Sequence, residues 1–217
     1  MHREALLRRD LKVSLTGDEP ALSAELQALA HGGAWYLTHL DSLWPSGLNE
    51  RLVLRGQGQL PPPGGIAIVG ARNADAHGVE LAGRIARTVV QNGRAVISGG
   101  ALGIDAAAHR ACLEYGGETV VVLGSGLSHP APRQNLYLFN TIRVSGTVLS
   151  PFPCVQRPTT WTYPRRNPVI AALAEMVIVV QASARSGSLQ TARAALSKGK
   201  PVWVVPGPMD SPLHSGC

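Results

Sequence analysis

The chain has 217 residues, of which 45% are hydrophobic and 16% are charged, so the composition is that of a folded globular protein and excludes a disordered one. Lysine and arginine together number 20 and acidic residues 14, and the resulting net charge of +6 favours a polyanionic partner such as a nucleotide or nucleic acid. The three cysteines are far apart and the N-terminus is charged rather than apolar, so we expect a cytoplasmic protein with no structural zinc, signal peptide or membrane span.

The first 55 residues predict a short N-terminal segment that is only partly helical. One helix is predicted over Glu19 to Ala30, and we assign the stretch WYLTHLDSLWPSGLNERLVLRG after it to irregular structure. The Pro- and Gly-rich residues Gly56 to Gly65 then predict a linker, which is followed by one domain over residues 66–217.

From Ile66 onward, short apolar runs alternate with amphipathic helical patterns. Strands are predicted at Ile66–Gly70, Arg94–Ser98, Thr119–Gly124, Thr147–Ser150, Met176–Gln181 and Pro201–Gly207. Helices are predicted at His77–Gln91, Ile104–Tyr115, Pro132–Val144, Arg166–Ala174 and Ser188–Ser197. This alternation predicts an α/β fold with a doubly wound, mainly parallel sheet of the extended Rossmann-like type.

Glycine-rich polar segments follow four of these strands. In a doubly wound sheet such loops meet outside the carboxyl ends of the strands, where ligands bind. The loop SARSGSLQTA is the best anion cradle, because Ser186, Gly187 and Ser188 can present N–H groups and hydroxyls at a helix N-terminus beside Arg185. Thr191 can add a hydroxyl or merely pack. Glycines also close ordinary strand-to-helix turns, so both interpretations of each loop stay open.

The loop SGGALGIDAAAH places Asp105 in the first turn of a predicted helix. A carboxylate there gains about 0.3 to 1 kcal/mol from the helix macrodipole, and His109 one turn later is then a packed core histidine. Alternatively, Asp105 orients a buried arginine, either Arg72 or Arg166, so that its guanidinium faces a ligand. The sequence alone leaves both interpretations open.

The segment TWTYPRRNPVI combines basic and aromatic residues in front of a predicted helix. Arg165 and Arg166 can neutralise phosphates while Trp161 or Tyr163 stacks on a base. A solvated charged turn is the structural alternative.

From about Trp35 to Cys217 the sequence resembles the DNA-processing A family, also called DprA or Smf. The matching motifs occur in the order IVGAR, ISGGALGIDAAAH, GGETVVVLGSGL, HPAPRQN, YPRRN, SGSLQTARAAL and VVPG followed by SGC, preceded by AWYLTHLDSLWPSGLNERLVLRG. The resemblance implies a single-stranded DNA-binding protein that protects incoming strands and loads RecA in natural transformation and recombination. It also implies a homodimer, no metal, no cofactor and no catalysis.

Residue by residue, the resemblance implies a DNA site with Asp105 and His109 in supporting positions. The residues that it assigns to DNA binding are Arg72, Ser98, Gly99, Gly100, Asn135, Arg165, Arg166, Asn167, Ser186, Gly187, Ser188 and Thr191. It further implies that the Rossmann-like domain stops before a last helix of the family pattern, and that the N-terminal segment is a remnant or an extension.

Two alternatives come from other functional classes. A phosphoribohydrolase-like enzyme shares a related fold but needs the glutamate of a PGGxGTxxE loop, and the comparable SGSLQTARAA has no acidic residue for general acid–base work. A degenerate scaffold that has lost its ligand is the other alternative, because Pro168 stands where the family tends to carry a third basic residue.

Overall fold

Strands and helices alternate along the part of the chain that the computed structural model describes, residues 2–11, 19–208 and 210–217. The helices are α1 His2–Asp10, α2 Glu19–His31, α3 Ala76–Gln91, α4 Ile104–Glu114, α5 Leu136–Ser145, α6 Thr162–Leu173 and α7 Ser188–Leu196. The strands are β1 Ala34–Leu37, β2 Leu54–Gly58, β3 Ile66–Val69, β4 Val96–Ser98, β5 Thr119–Val122, β6 Thr147–Ser150, β7 Met176–Val179 and β8 Val202–Val204. A turn of 3₁₀-helix, Arg133–Asn135, precedes α5.

All eight strands form one sheet in the order β1-β2-β6-β5-β4-β3-β7-β8. The strands from β6 to β8 in this order are parallel, whereas β1 and β2 pair antiparallel at one edge. The predicted doubly wound, mainly parallel α/β fold is therefore confirmed. The chain reverses its direction of winding at β3, whose neighbours are β4 and β7, and the crevice at such a switch point is the usual ligand site.

Alternate residues of the central strands enter two separate cores. Ala67 and Val69 of β3 face α6 and α7, while Ile68 faces α3 and α4. Because both faces are covered, these strands are apolar along their whole length, which is why they could be predicted from the sequence. Among the described residues, no helix is long and apolar enough to cross a lipid bilayer.

The N-terminal segment adds both helices and strands to this frame. The predicted helix over Glu19 to Ala30 is confirmed as α2. The assignment of the following stretch to irregular structure is wrong in part, because it contains β1 and the start of β2. Residues 56–58, which fall within the predicted linker, form the end of β2 and pair with β6. Residues 12–18 of the predicted N-terminal segment lie outside the described residues.

A buried ionic cluster fixes this segment to the sheet. Arg55 of β2 is fully buried, and its guanidinium donates to Asp10 of α1 at 2.7 Å and to Glu25 of α2. Glu25 also accepts the Cys154 backbone N–H at 2.9 Å, just after β6. Arg55 thus joins two helices, strand β2 and the loop after β6.

One helix begins earlier than the sequence predicts. The helix predicted at Arg166–Ala174 starts at Thr162, so the YPRRN motif lies inside α6 rather than in front of it. Pro164 lies in the first turn, where its missing N–H removes no intrahelical bond, and Pro168 is accommodated within the helix. The arginines of the motif are consequently held on a rigid element.

Candidate functional site: a polar cleft at the strand switch point

A cleft of about 520 Å³ opens at the switch point between β3 and β7. Its walls are the loop after β3, the loop between β4 and α4, helix α6, and the loop that leads into α7. Such a volume falls within the usual range of ligand sites. Basic, amide and hydroxyl groups meet here with the carboxylate of Asp105, so the lining suits a polar ligand.

The N-terminus of α7 forms one wall of the cleft. Ser186 and Ser188 hydroxyls lie 2.7 Å apart, and Gly187 between them is exposed with open space where a side chain would stand. Asn167 of α6 donates to the Gly187 carbonyl at 3.2 Å and so ties α6 to this turn. The arrangement places the two serine hydroxyls and the Gly187 N–H at the positive end of a helix dipole, which suits an anion, whereas the N–H groups of the other turn residues donate within the turn.

Arg166 brings a nearly buried cation into the opposite wall. Its side chain is only 5% exposed, and Nη1 donates to the Val122 carbonyl at the end of β5. Burial lowers the pKa of Arg166 to about 10, although Asp105 acts in the opposite direction. A desolvated guanidinium in a cleft is costly without an anion, so the geometry favours a negatively charged ligand.

Asp105 is the carboxylate that faces this cation. Burial raises its pKa, and Arg166 is the strongest influence that lowers it, ahead of a hydrogen bond from the Ala101 N–H. The two described side chains form no ion pair within 4.0 Å, so they act on each other through space. Arg72 is exposed and stacks on Tyr163 instead. Of the two arginines considered from the sequence, Arg166 is therefore the one that Asp105 faces.

Two arginine–aromatic pairs lie in or next to the cleft: Arg72 and Tyr163 belong to its lining, and Trp161 and Arg165 adjoin lining residues in sequence. The Arg72 guanidinium lies 5.0 Å from the centre of the Tyr163 ring, and that of Arg165 lies 4.8 Å from Trp161. Trp161 is 45% exposed and rests edge-on against Phe152. Exposed planar groups of this kind provide faces on which a nucleobase can stack.

The loop after β4 supports the cleft from behind. Ser98 is buried and donates to the Ile68 carbonyl at 2.6 Å, which ties β4 to β3. Gly99 permits the approach of Arg166, since a Cβ there would lie 2.1 Å from Nη1. Asn135 is buried and donates to the carbonyls of Gly100 and Ala101. These groups hold the loop in the shape that lines the cleft.

A Gly103→Ala substitution should destabilise the protein and displace the loop after β3. Gly103 has a φ of +73°, and a Cβ there would lie 2.3 Å from the Ala71 carbonyl oxygen and 2.6 Å from that of Arg72. We expect about 1 to 3 kcal/mol of lost stability from the backbone conformation, and more from the collision, measured by urea unfolding. Gly93→Ala is the matched control, because Gly93 has a φ of +67° and open space around it. Equal losses in the two variants would contradict the collision.

His109 is a core residue rather than a cleft residue. It is fully buried, and its Nδ1 lies 2.7 Å from the Thr119 hydroxyl, which itself donates to the Val96 carbonyl. Because the hydroxyl hydrogen is used in that bond, Nδ1 must donate the proton. Nε2 has no hydrogen-bond partner within the described part of the chain. Burial, and to a lesser extent Arg166, lowers the pKa of His109 to about 3.

This buried neutral imidazole predicts a loss of stability in acid. Between the ordinary pKa of 6.5 and the folded value of about 3, the unfolded chain binds a proton that the folded chain does not. As the pH falls from 6.5 to about 3, His109 should therefore lower the free energy of unfolding by about 1.4 kcal/mol per pH unit. Urea unfolding at several pH values tests this against His109→Asn, which keeps a donor and cannot titrate. Asp105 also has a shifted pKa, but it is present in both proteins, so the difference between their curves of unfolding free energy against pH reports His109 alone. Parallel curves would exclude the effect of His109.

Most of the predicted site residues meet in the cleft. Those that line it are Arg72, Asp105, Arg166, Asn167, Ser186, Gly187, Ser188 and Thr191. Those that lie behind or beside it are Ser98, Gly99, Gly100, His109, Asn135 and Arg165.

Sequence reasoning missed several lining residues. Asn73 and Gln190 stand within or next to quoted motifs and could have been included on that ground. Leu213 had no local signal, because it reaches the cleft only when the last residues fold back and the Gly216 N–H donates to the Ala182 carbonyl at 2.8 Å.

An open, mainly parallel sheet with helices on both faces and a polar cleft at its switch point defines a Rossmann-like α/β protein. Within this class, the family described as DNA recombination-mediator protein A matches residues 35–217. The chain belongs to this family.

Known relatives agree with this membership. The DNA processing protein DprA of Bacillus subtilis is 38% identical over 151 residues, which are 70% of this chain and 51% of that protein. The X-ray structure of DNA processing protein A from Streptococcus pneumoniae superposes with a TM-score of 0.84 at 33% identity, covering 93% of this chain and 71% of that one. The structure of a Helicobacter pylori DNA processing protein A, described for its single-stranded DNA binding mode, superposes with a TM-score of 0.75 at 26% identity. The superposition covers 84% of this chain and 85% of that one. The chain spans about half the length of the curated relatives it matches.

Proposed function

We propose that this chain binds single-stranded DNA in the cleft between α6 and α7. The observation that carries the proposal is the buried Arg166 guanidinium opposite the α7 N-terminus, in a cleft that the Arg72–Tyr163 pair lines and the Arg165–Trp161 pair adjoins. The Helicobacter pylori relative, described as a single-stranded DNA binder, supports the same assignment.

The chemistry of the cleft fits a strand whose bases are exposed. A phosphate can accept from the Ser186–Ser188 turn while neighbouring phosphates meet Arg72 and Arg166. Tyr163 and Trp161 offer faces to unpaired bases, which a duplex hides within its stack. Binding should then depend on contacts with the DNA phosphates and on stacking of bases against aromatic rings, with little preference for DNA sequence.

The proposed cellular role follows from the family to which the chain belongs. We propose that the protein protects incoming single strands in the cytoplasm, acts as a homodimer and loads RecA during natural transformation and recombination. It does so without a cofactor and without catalysis. In support, Asp105 is the one carboxylate in the lining of the described cleft, and it faces the Arg166 guanidinium. A phosphoribohydrolase-like reaction would lack its general acid–base group.

Fluorescence anisotropy tests the DNA proposal. A labelled oligothymidylate is titrated with the protein at several salt concentrations, and a duplex of mixed sequence is the control. We expect tighter binding of the single strand, with an affinity that falls linearly in logarithmic salt with a slope of about −0.7 per phosphate contacted. Equal affinity for the two nucleic acids, or affinity independent of salt, would contradict the proposal.

A further inference from the structure

The positive charge of the protein extends well beyond the cleft. From Thr119 to Ala174 the sequence contains five arginines and no aspartate or glutamate. This segment includes the loops after β5 and β6, which lie at the same edge of the sheet as the cleft. The two loops are joined by hydrogen bonds from Gly126 to Gln156 and from Ser128 to Cys154. Three of these arginines, Arg133, Arg157 and Arg165, are exposed at this edge, so an anion-attracting surface continues from the cleft toward β5 and β6.

An exposed aromatic ring stands on this surface at the start of α5. Tyr137 is 86% exposed and has no ring contact within the described part of the chain. Arg133, one turn earlier, is also exposed and forms no ion pair with any described residue. Leu136, the residue before Tyr137, and Leu102, which follows the Gly100 and Ala101 carbonyls bonded by Asn135, are each more than a third exposed. A bare ring beside an unpaired guanidinium offers a stacking face and a phosphate partner together.

This pair is held close to the cleft rim. Asn135, which lies between the two residues in sequence, is buried and donates to the carbonyls of Gly100 and Ala101 at 3.0 and 3.2 Å. Ala101 lines the cleft. The turn that carries Arg133 and Tyr137 is therefore fixed against the wall of the proposed DNA site, and a strand leaving the cleft over this wall meets it next.

We infer that Arg133 and Tyr137 form an outer stacking site for the same DNA strand, with a base on the Tyr137 ring and a phosphate at Arg133. The inference rests on the proposed function and extends it to DNA outside the cleft. A nucleic acid is favoured over a protein partner because the segment from Thr119 to Ala174 exposes three arginines at this edge and contains no acidic residue. A protein docked on Tyr137 and Val144, which share one face of α5, is the competing outcome.

A length series of oligothymidylates separates the outer site from the cleft. For the longest oligonucleotides, Tyr137→Ala should lower affinity about tenfold, because a stacked base is lost. For oligonucleotides short enough to fill only the cleft, affinity should not change. Tyr137→Trp should bind like the parent at every length. Arg133→Gln should reduce the salt slope for long oligonucleotides by about 0.7.

Two variants serve as matched controls. Tyr115→Ala removes another exposed ring, which lies after the far end of α4 under Arg87, and Arg193→Gln removes an exposed charge on α7. Neither should change binding at any length. The inference is overturned if Tyr137→Ala binds all lengths like the parent, if it weakens short and long oligonucleotides equally, or if it weakens only a protein partner. A parent that binds no oligonucleotide would instead overturn the proposed function.

Discussion

Arg166→Ala should lose single-stranded DNA affinity by about thirtyfold or more, which corresponds to about 2 kcal/mol. The guanidinium is nearly buried in the cleft wall, so its charge acts on a ligand with little screening by water. Its loss also leaves Asp105 buried without the charge that favours its ionised form. Anisotropy with a labelled oligothymidylate measures the change.

The controls distinguish a local effect from a loss of net charge or of fold. Arg193→Ala removes an exposed charge from the last turn of α7, outside the cleft, and should bind almost normally. Arg166→Lys keeps the charge without the guanidinium fork and should fall between the parent and Arg166→Ala. Near-normal affinity of a folded Arg166→Ala protein would refute the assignment of the cleft.

Arg55→Met should destabilise the protein by about 3 to 5 kcal/mol, although it lies far from the cleft in sequence. The substitution leaves Asp10 and Glu25 buried beneath β2 with no cation between them. Burial already raises the pKa of Asp10 in the presence of Arg55, so the carboxyl is poorly solvated. The midpoint of guanidinium unfolding measures the loss.

The Arg94–Glu175 pair provides the comparison for this cluster. Its atoms lie 3.2 Å apart but both side chains are about half exposed, so Arg94→Met should cost less than about 1 kcal/mol. Replacing Arg55, Asp10 and Glu25 together by apolar residues should recover most of the stability, since no uncompensated charge remains. A triple variant as unstable as Arg55→Met would show that the cluster acts through its shape instead.

The central fold could be predicted because its strands are buried on both faces. Runs such as IAIV and MVIV are apolar throughout, and α3 and α4 are capped by Asn92 and Tyr115, each followed by a glycine with positive φ. The strands at the antiparallel edge gave no such pattern. β2 reads LRGQG, and Arg55 within it becomes a core residue only through acids 30 and 45 positions away.

The loops that form the candidate site could be predicted from the sequence, but the arginine that Asp105 faces could not. The loops after β3, β4 and β7 share one edge because their strands are parallel, which the sequence pattern implies. Whether Asp105 faces Arg72 or Arg166 depends on how α6 crosses the sheet. The YPRRN motif was also expected in front of a helix starting at Arg166, whereas α6 starts at Thr162 and accommodates Pro164 and Pro168.

Amide proton–nitrogen correlation spectra of the labelled protein, recorded during titration with a short oligothymidylate, test the location of the DNA site most directly. We expect the largest shifts at Gly99, Gly100 and the Ser186–Ser188 turn, together with the side-chain Nε–H of Arg166. The N-terminal edge of the sheet, at Gly64, Gly93 and Gly117, should remain unchanged. Shifts concentrated at that opposite edge, with Arg166 unaffected, would contradict a DNA site in the cleft.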